Sequence, residues 1–356
     1  MHSDVASTPA DRAHGAAHLG GDDVAFTEGE VVWHHTNGPG LLSILDRHCL
    51  WATAAPFLND QQEVALGGDL IVRRLDELAQ GSDADEVYVE MAARVREGLR
   101  DGHGPSAAAF HILSASRTWD SLVMWRNYGG SRESYAIGLD ASAPLQVLGD
   151  PEIDPTAYGW SPGGVAIRRT AWEPVRYTES DQLALVDAVL DDLPGQMRRL
   201  RDHVHEFVGG PGSTIDPGER PAARPELPAD LEAEFGQTRD DLEQALLLIK
   251  HRGFVDEREV RKAIVLWSDE SEAARESAAR LIRYRSTAYG MAPYVELTGA
   301  SDDHPVARHP SPLPIRAVAI SPSPNGPEAT ESLRGLLASR GYAGTPVLRS
   351  VIPFRG

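Results

Sequence analysis

Four stretches of this chain hold side chains whose types and spacing could do chemistry. The first is His34-His35-Thr36, closing a strand-like run that starts at Glu30. Alternation along a strand puts His34 and Thr36 on one face, with Trp33 and His35 on the other. Two hydrogen-bonding side chains at a strand end can grip the hydroxyls of a sugar; the same residues also read as a surface pair before a turn. The second stretch is Phe57-Leu58-Asn59-Asp60-Gln61-Gln62-Glu63. Asn59 or Asp60 serves as a helix N-cap and Glu63 falls at or near the partner position of a capping box, so capping accounts for these groups as well as ligand contact does. The third runs Ser116-Arg117-Thr118-Trp119-Asp120, then Met124-Trp125-Arg126-Asn127-Tyr128, then Ser134-Tyr135-Ala136-Ile137-Gly138-Leu139-Asp140. Aromatics are only 6% of the chain, yet Trp119, Trp125, Tyr128 and Tyr135 crowd together here among arginines. A nucleotide pocket uses such stacking surfaces and phosphate forks; so does an ordinary aromatic core. The fourth runs from Lys250-His251-Arg252-Gly253-Phe254 through Glu257-Arg258-Glu259-Val260-Arg261. Alternation there sets Glu257, Glu259 and Arg261 on one face of a strand, as an acid site that stabilises a sugar cation or as a solvated strand entrance.

Other chemistry is not indicated. There is no Walker loop, no G-x-S-x-G elbow, no H-E-x-x-H and no G-x-G-x-x-G after a strand. His203 and His205 point to different faces of a predicted helix, and His304 and His309 fall in a Pro-rich loop, so no metal centre is expected. A lone cysteine, Cys49, excludes an intrachain disulfide framework. Asp plus Glu number 53 against 34 Lys plus Arg, a formal charge of −19. Such a field opposes a broad nucleic-acid-binding surface. Only Lys250 and Lys262 are lysines; the arginine bias suits carboxylate and phosphate recognition and also follows from GC-rich coding.

The elements that must position these residues are legible in outline. The 356 residues, 41% apolar and 24% charged, suffice for one elaborated domain or two modest ones. Residues 1–29 lack periodicity and read as a mobile tail. No run approaches a membrane span and no secretory signal opens the chain, so it reads as soluble and cytoplasmic. Strands are predicted at 30–36, 110–116, 134–139, 165–177 and 257–267, and extended segments at 51–58, 281–286, 292–297, 315–320 and 346–352. Helices are predicted at 41–45, 60–80, 84–100, 120–128, 180–208, 229–249 and 328–340. Residues 209–228 form a Pro/Gly-rich linker. Strands from both ends around a helical middle predict a single α+β domain over 30–356, with a helical insertion at about 179–250 packed against the sheet.

Taken in order, the four stretches resemble a bacterial family known only as a domain of unknown function and scattered among defence and mobile-element loci. The likeness lies in His-x-Thr, Leu-x-x-Ile-Leu, Phe-Leu-Asn-Asp-x-x-Glu, Met-Trp-x-x-Tyr, Tyr-Ala-Ile-Gly-Leu-Asp and Phe-x-x-Glu-x-Glu-x-Arg, and extends to Pro293-Tyr294-Val295-Glu296-Leu297, Leu313-Pro314-Ile315 and the close at Arg355. His35 stands where that family carries an aromatic. A strand ending His-x-Thr, a short helix and a Leu-Trp strand also resemble the opening of ADP-ribosyltransferases of the diphtheria-toxin and poly-ADP-ribose-polymerase type.

That second resemblance implies a mixed, split β-sheet and NAD as co-substrate. It implies that His34 and Thr36 hold NAD, that Tyr135 stacks on nicotinamide, and that Glu259 or Glu257 is catalytic. Trp125, Arg126, Tyr128 and Asn59 complete the binding residues expected. The activity implied is transfer of ADP-ribose to an unknown protein, nucleic-acid or small-metabolite acceptor. An NAD glycohydrolase of a defence or toxin system, and a non-catalytic nucleotide sensor whose acidic pair is structural, are the alternatives.

Overall fold

The computed structural model describes residues 24–58, 61–80, 110–129, 133–152, 164–191, 241–268, 271–287 and 290–353, with Asp22, Tyr158 and isolated positions between 193 and 238. Asn59, most of the predicted tail, the helix at 84–100, the linker at 209–228 and most of the helix at 229–249 lie outside the described residues.

The fold is mixed α+β, with thirteen strands among the described residues joined in one sheet. In chain order these are β1 (Val31–Asn37), β2 (Leu50–Ala54), β3 (Phe110–Ser116), β4 (Ser134–Asp140), β5 (Leu145–Leu148), β6 (Val165–Arg169) and β7 (Glu173–Pro174). The later strands are β8 (Glu259–Ser268), β9 (Ile282–Thr287), β10 (Gly290–Gly299), β11 (Val306–Ala307), β12 (Ile315–Ile320) and β13 (Val347–Arg349). The helices are α1 (Gly38–Arg47), α2 (Gln61–Ala79), α3 (Leu122–Gly129), α4 (Glu179–Leu190), α5 (Glu272–Leu281) and α6 (Gly326–Ser339). The sequence reading did not anticipate α5 or the short strands β5 and β11. Two- to four-residue strands leave too little alternation to read, and α5 is rich in Ala, Arg and Glu with few apolar residues to mark a face.

β3 is the hub. One of its edges pairs with β8 along its whole length, Phe110↔Val265 through Ser116↔Glu259. Its other edge is shared: β2 takes the start, at Thr53↔Ile112 and Ala54↔His111, and β1 takes the end, at Trp33↔Ser116. Between these contacts β1 and β2 part, and the edge of β3 at Leu113–Ala115 faces a fork. The sheet is therefore mixed and forked. β1 continues into β4 with seven paired residues, and β4 into β12 and β13; β2 continues into β10.

α1 bridges the two arms of the fork. The Asn37 side chain accepts the Gly40 amide at 2.8 Å, Pro39 occupies the first turn, and His48 ends the helix in the left-handed region at φ 51°, as capping rules lead one to expect. Leu41 and Leu45 then enter the main core, which also collects Leu50, Ile137, Ile264 and Val318 and is closed by α6 through Leu333 and Leu337. Residues of β1, β3 and β8 that alternate with these face the opposite side. There Trp33 and Trp125 pack with Ala319 and Leu348, and Phe110 and Ile112 pack with Leu247 and Val265. Gly138 is required on this side: a Cβ there would lie 2.7 Å from the Trp33 ring.

The described part of the predicted insertion packs chiefly on α2. Leu70, Ile71 and Leu75 of α2 meet Val186 and Leu190 of α4 and Leu242 and Leu246 of the helical stretch at residues 241–246. Leu247 carries this second core onto the sheet, and Arg176 and Ile249 form a backbone bridge between its two ends.

Candidate functional site

His34 stands at the fork. Its Nδ1 is 3.0 Å from the Ser114 carbonyl oxygen, and since a carbonyl only accepts, Nδ1 carries the proton and Nε2 is left as an acceptor. Burial lowers the His34 pKa below its ordinary value; the Ser114 bond opposes that and the Arg285 charge adds to it. The ring is therefore neutral at pH 7. Arg285, on β9, donates from Nη2 to Thr53 Oγ1 at 3.0 Å and holds its guanidinium 5.8 Å over the Trp51 ring, which in turn stacks on Tyr294. Its buried Nε has no hydrogen-bond partner among the described residues.

Thr36 and Tyr135 continue this face. They are directly paired across β1 and β4, with His34 opposite Ile137, so His34, Thr36 and Tyr135 lie on one side of the sheet. The Thr36 hydroxyl lies under Gly40, where a Cβ would come within 2.1 Å of it. The Tyr135 hydroxyl donates to Glu133 Oε1 at 2.7 Å. Burial, and after it that carboxylate, raises the phenol above its ordinary range.

The acidic pair occupies the other face of β3. The predicted strand begins only at Glu259; Glu257 ends a 3-10 turn, Arg252–Glu257, and Arg258 between them is left-handed at φ 45°. That reversal, rather than strand alternation, aims both carboxylates at Lys250. Lys250 Nζ lies 2.8 Å from Glu257 Oε2 and 3.0 Å from Glu259 Oε2. Arg261 closes on Glu259 with both forks, Nε to Oε1 at 2.8 Å and Nη2 to Oε2 at 3.0 Å, and also donates to the Leu247 carbonyl. All four residues are at most 7% exposed. Desolvation alone would raise the Glu259 pKa, but Arg261 and then Lys250 outweigh it and hold the carboxyl at about 2. Two cations and two anions make a neutral quartet, so Glu259 is a permanent but compensated charge.

Two tyrosines enclose the quartet. The Glu259 amide donates to the Tyr177 hydroxyl at 2.8 Å, and burial first, then the quartet's carboxylates, lifts the half-buried Tyr128 phenol above its ordinary range. Ser116 Oγ donates to the Glu257 carbonyl at 2.7 Å.

Of the binding residues expected from sequence, the structure brings His34, Thr36 and Tyr135 together and puts Tyr128, Glu257 and Glu259 together, on opposite faces of the sheet. Ser114 is the point of contact between them. Its carbonyl meets His34, and across the β3–β8 ladder it pairs with Arg261, two residues from Glu259. Trp125, expected to bind cofactor, is packed in the core: it is 4% exposed, with Nε1 donating to Asp120 at 3.0 Å and its ring T-shaped against His35. The reason is that α3 lies flat on the β1–β4 surface and turns Met124 and Trp125 inward. Arg126, on the same helix, is exposed. Sequence reasoning missed Ser114, Arg285, Tyr177 and the role of Lys250. Arg285 left one signal, its alternation with Arg283 in a short extended segment; Lys250 left another, as one of only two lysines.

Comparison of the chain with family models, with curated proteins and with solved structures gives no match. Among the described residues no helix is long and apolar enough to cross a membrane, and no group of three or more His, Cys, Asp or Glu side chains is placed to hold a metal ion.

Proposed function

We propose that this protein binds an anionic dinucleotide of the NAD class in the fork between β1 and β2. The observation that carries this reading is His34, a neutral imidazole with Nε2 free to accept, within electrostatic reach of the Arg285 guanidinium, whose Nε is unpartnered. A ribose hydroxyl can donate to Nε2. A guanidinium matches the geometry of a pyrophosphate, and a desolvated donor without a partner is stabilised by gaining one. Trp51 behind Arg285 adds a stacking surface. The His-x-Thr segment at the branch point of a forked mixed sheet also supports an ADP-ribosyltransferase-like arrangement.

In this reading the acidic quartet is framework: it buttresses the β8 side of the β3–β8 ladder, and the Ser114 carbonyl of β3 orients His34. Cleavage of the nicotinamide–ribose bond, with transfer of ADP-ribose to an acceptor or hydrolysis, is the second reading. It is favoured by one observation, that Ser114, whose carbonyl meets His34, is paired with the β8 segment that carries Glu259, because the oxocarbenium-like sugar of that reaction is stabilised by nearby negative charge. The leaving group is neutral and needs no strong general acid.

Calorimetry with NAD, followed by chromatography for free nicotinamide, tests both readings. Saturable binding lost at least tenfold in His34→Ala and in Arg285→Gln is the expected result. A parent protein that does not bind NAD refutes the first reading. Nicotinamide release that disappears in Glu259→Gln, with binding retained, establishes the second.

A further inference from the structure

A cavity that the fork does not use opens beside Tyr135. It measures about 420 Å³, within the size range of small-molecule sites, and lies between the start of β4 and the first turns of α6. Ala329, Leu333 and Leu336 supply an apolar floor, and Glu133, Glu328 and the Tyr135 ring supply the walls; no lysine, arginine or histidine lines it. The two carboxylates have different situations. Glu328 falls in the first turn of α6, where the helix's unpaired amides favour negative charge. Glu133 has no helix end to answer it. One of its oxygens takes the Tyr135 hydroxyl, while Oε2 is cut off from solvent and has no hydrogen-bond partner among the described residues. With two carboxylates along the lining and no basic side chain to balance them, the cavity calls for a positively charged occupant.

We propose that this pocket is a binding site for a small planar organic cation of the amidinium or guanidinium class, read by Glu133. The cation's N–H groups bond the Glu133 and Glu328 carboxylates that line the cavity, its plane lies against the Tyr135 ring, and its body rests on the leucine floor. A neutral amide of the same shape meets the same floor but leaves the carboxylate charge unanswered. The inference goes beyond the dinucleotide reading and does not depend on it, since none of the groups holding the cation is His34 or Arg285.

The test is calorimetry of the full chain with benzamidine, with neutral benzamide, and with N-acetylarginine amide. Benzamidine is expected to bind at least tenfold more tightly than benzamide. The order of the two cations then shows whether the pocket takes a free aromatic ligand or an arginine side chain. Glu133→Gln should bring benzamidine and benzamide within about twofold of each other without changing NAD binding. Ser332→Phe, at an exposed position on the rim, should block both compounds while keeping all charges, and serves if Glu133→Gln does not fold. Equal affinities for benzamidine and benzamide, no benzamidine binding at 10 mM probe (roughly −3 kcal/mol or weaker), or binding indifferent to both substitutions overturns the proposal.

Discussion

Replacing Glu259 with glutamine removes one anion from the buried quartet while keeping nearly the same shape. The carboxyl is held at about 2 against an ordinary 4.5, and at ~1.4 kcal/mol per pH unit this corresponds to about 3 kcal/mol of folding stability. The same order follows from mutational experience, in which stripping one partner from a buried ion pair costs about 3–5 kcal/mol because the other charge is left uncompensated. Glu259→Gln leaves Lys250 and Arg261 facing Glu257 alone, a net buried positive charge. In a chain of this size each kcal/mol moves the melting temperature by about 1.3 °C, so the expected drop is about 4–7 °C, read by urea unfolding and thermal melts at pH 7. The sign with pH is definite. Because the folded value is depressed, the Glu259 contribution is complete above pH 4.5 and is lost as pH falls toward 2, so the variant should show a flatter acid limb than the parent over that window. Glu259→Gln combined with Arg261→Gln restores charge balance around the Lys250–Glu257 pair, and should be less destabilised than the sum of the two single changes by about 1 kcal/mol or more. A single variant that loses less than about 1 kcal/mol and keeps the parent's acid limb would refute the framework role of the quartet.

Gly138→Ala puts a methyl group into the Trp33 ring and 2.9 Å from Val31 Cγ1; overpacking of this kind costs about 1–3 kcal/mol and should shift Trp33 emission. His35 is buried with Nε2 3.3 Å from the Thr118 carbonyl, and burial lowers its pKa to about 4; its ring resonances should stay neutral until pH approaches 4. Because the unfolded chain takes up that proton near 6.5, stability should fall as pH drops from 6.5 to 4, and His35→Gln should lessen that slope, leaving the share that His34 contributes. Leu247→Ala, at the seam where the second core meets the sheet, should cost about 2–5 kcal/mol; limited proteolysis should then cut the 241–249 region faster than the β3–β8 ladder, and uniform protection would contradict the seam.

Much of the local structure is written in the sequence by itself. The run Val260 to Trp267 is too apolar and too β-branched to be anything but a buried strand, and β8 is 259–268. Asn37, Pro39 and the spaced leucines make α1 a capped helix wherever the chain goes next. The alternation of His34 and Thr36 against Trp33 and His35 holds in three dimensions, because a strand has only two faces. What alternation cannot say is which face of one strand joins which face of another. The mixed α+β class was legible, whereas the fork was not, because it depends on β1 and β2 sharing one edge of β3. The resemblance assigned His34, Thr36, Tyr135 and either Glu259 or Glu257 to one NAD site; tertiary pairing set both carboxylates on the face of β3 opposite His34. The quartet depended on the left-handed Arg258, a conformation that residue type does not foretell, and on Ser116 reaching the Glu257 carbonyl across 141 residues. The quartet's ion pairs are local, between residues two to nine apart, but the groups that enclose them, Ser116 and Tyr177, come from far along the chain, so the desolvation that gives these charges their weight exists only once the sheet has formed.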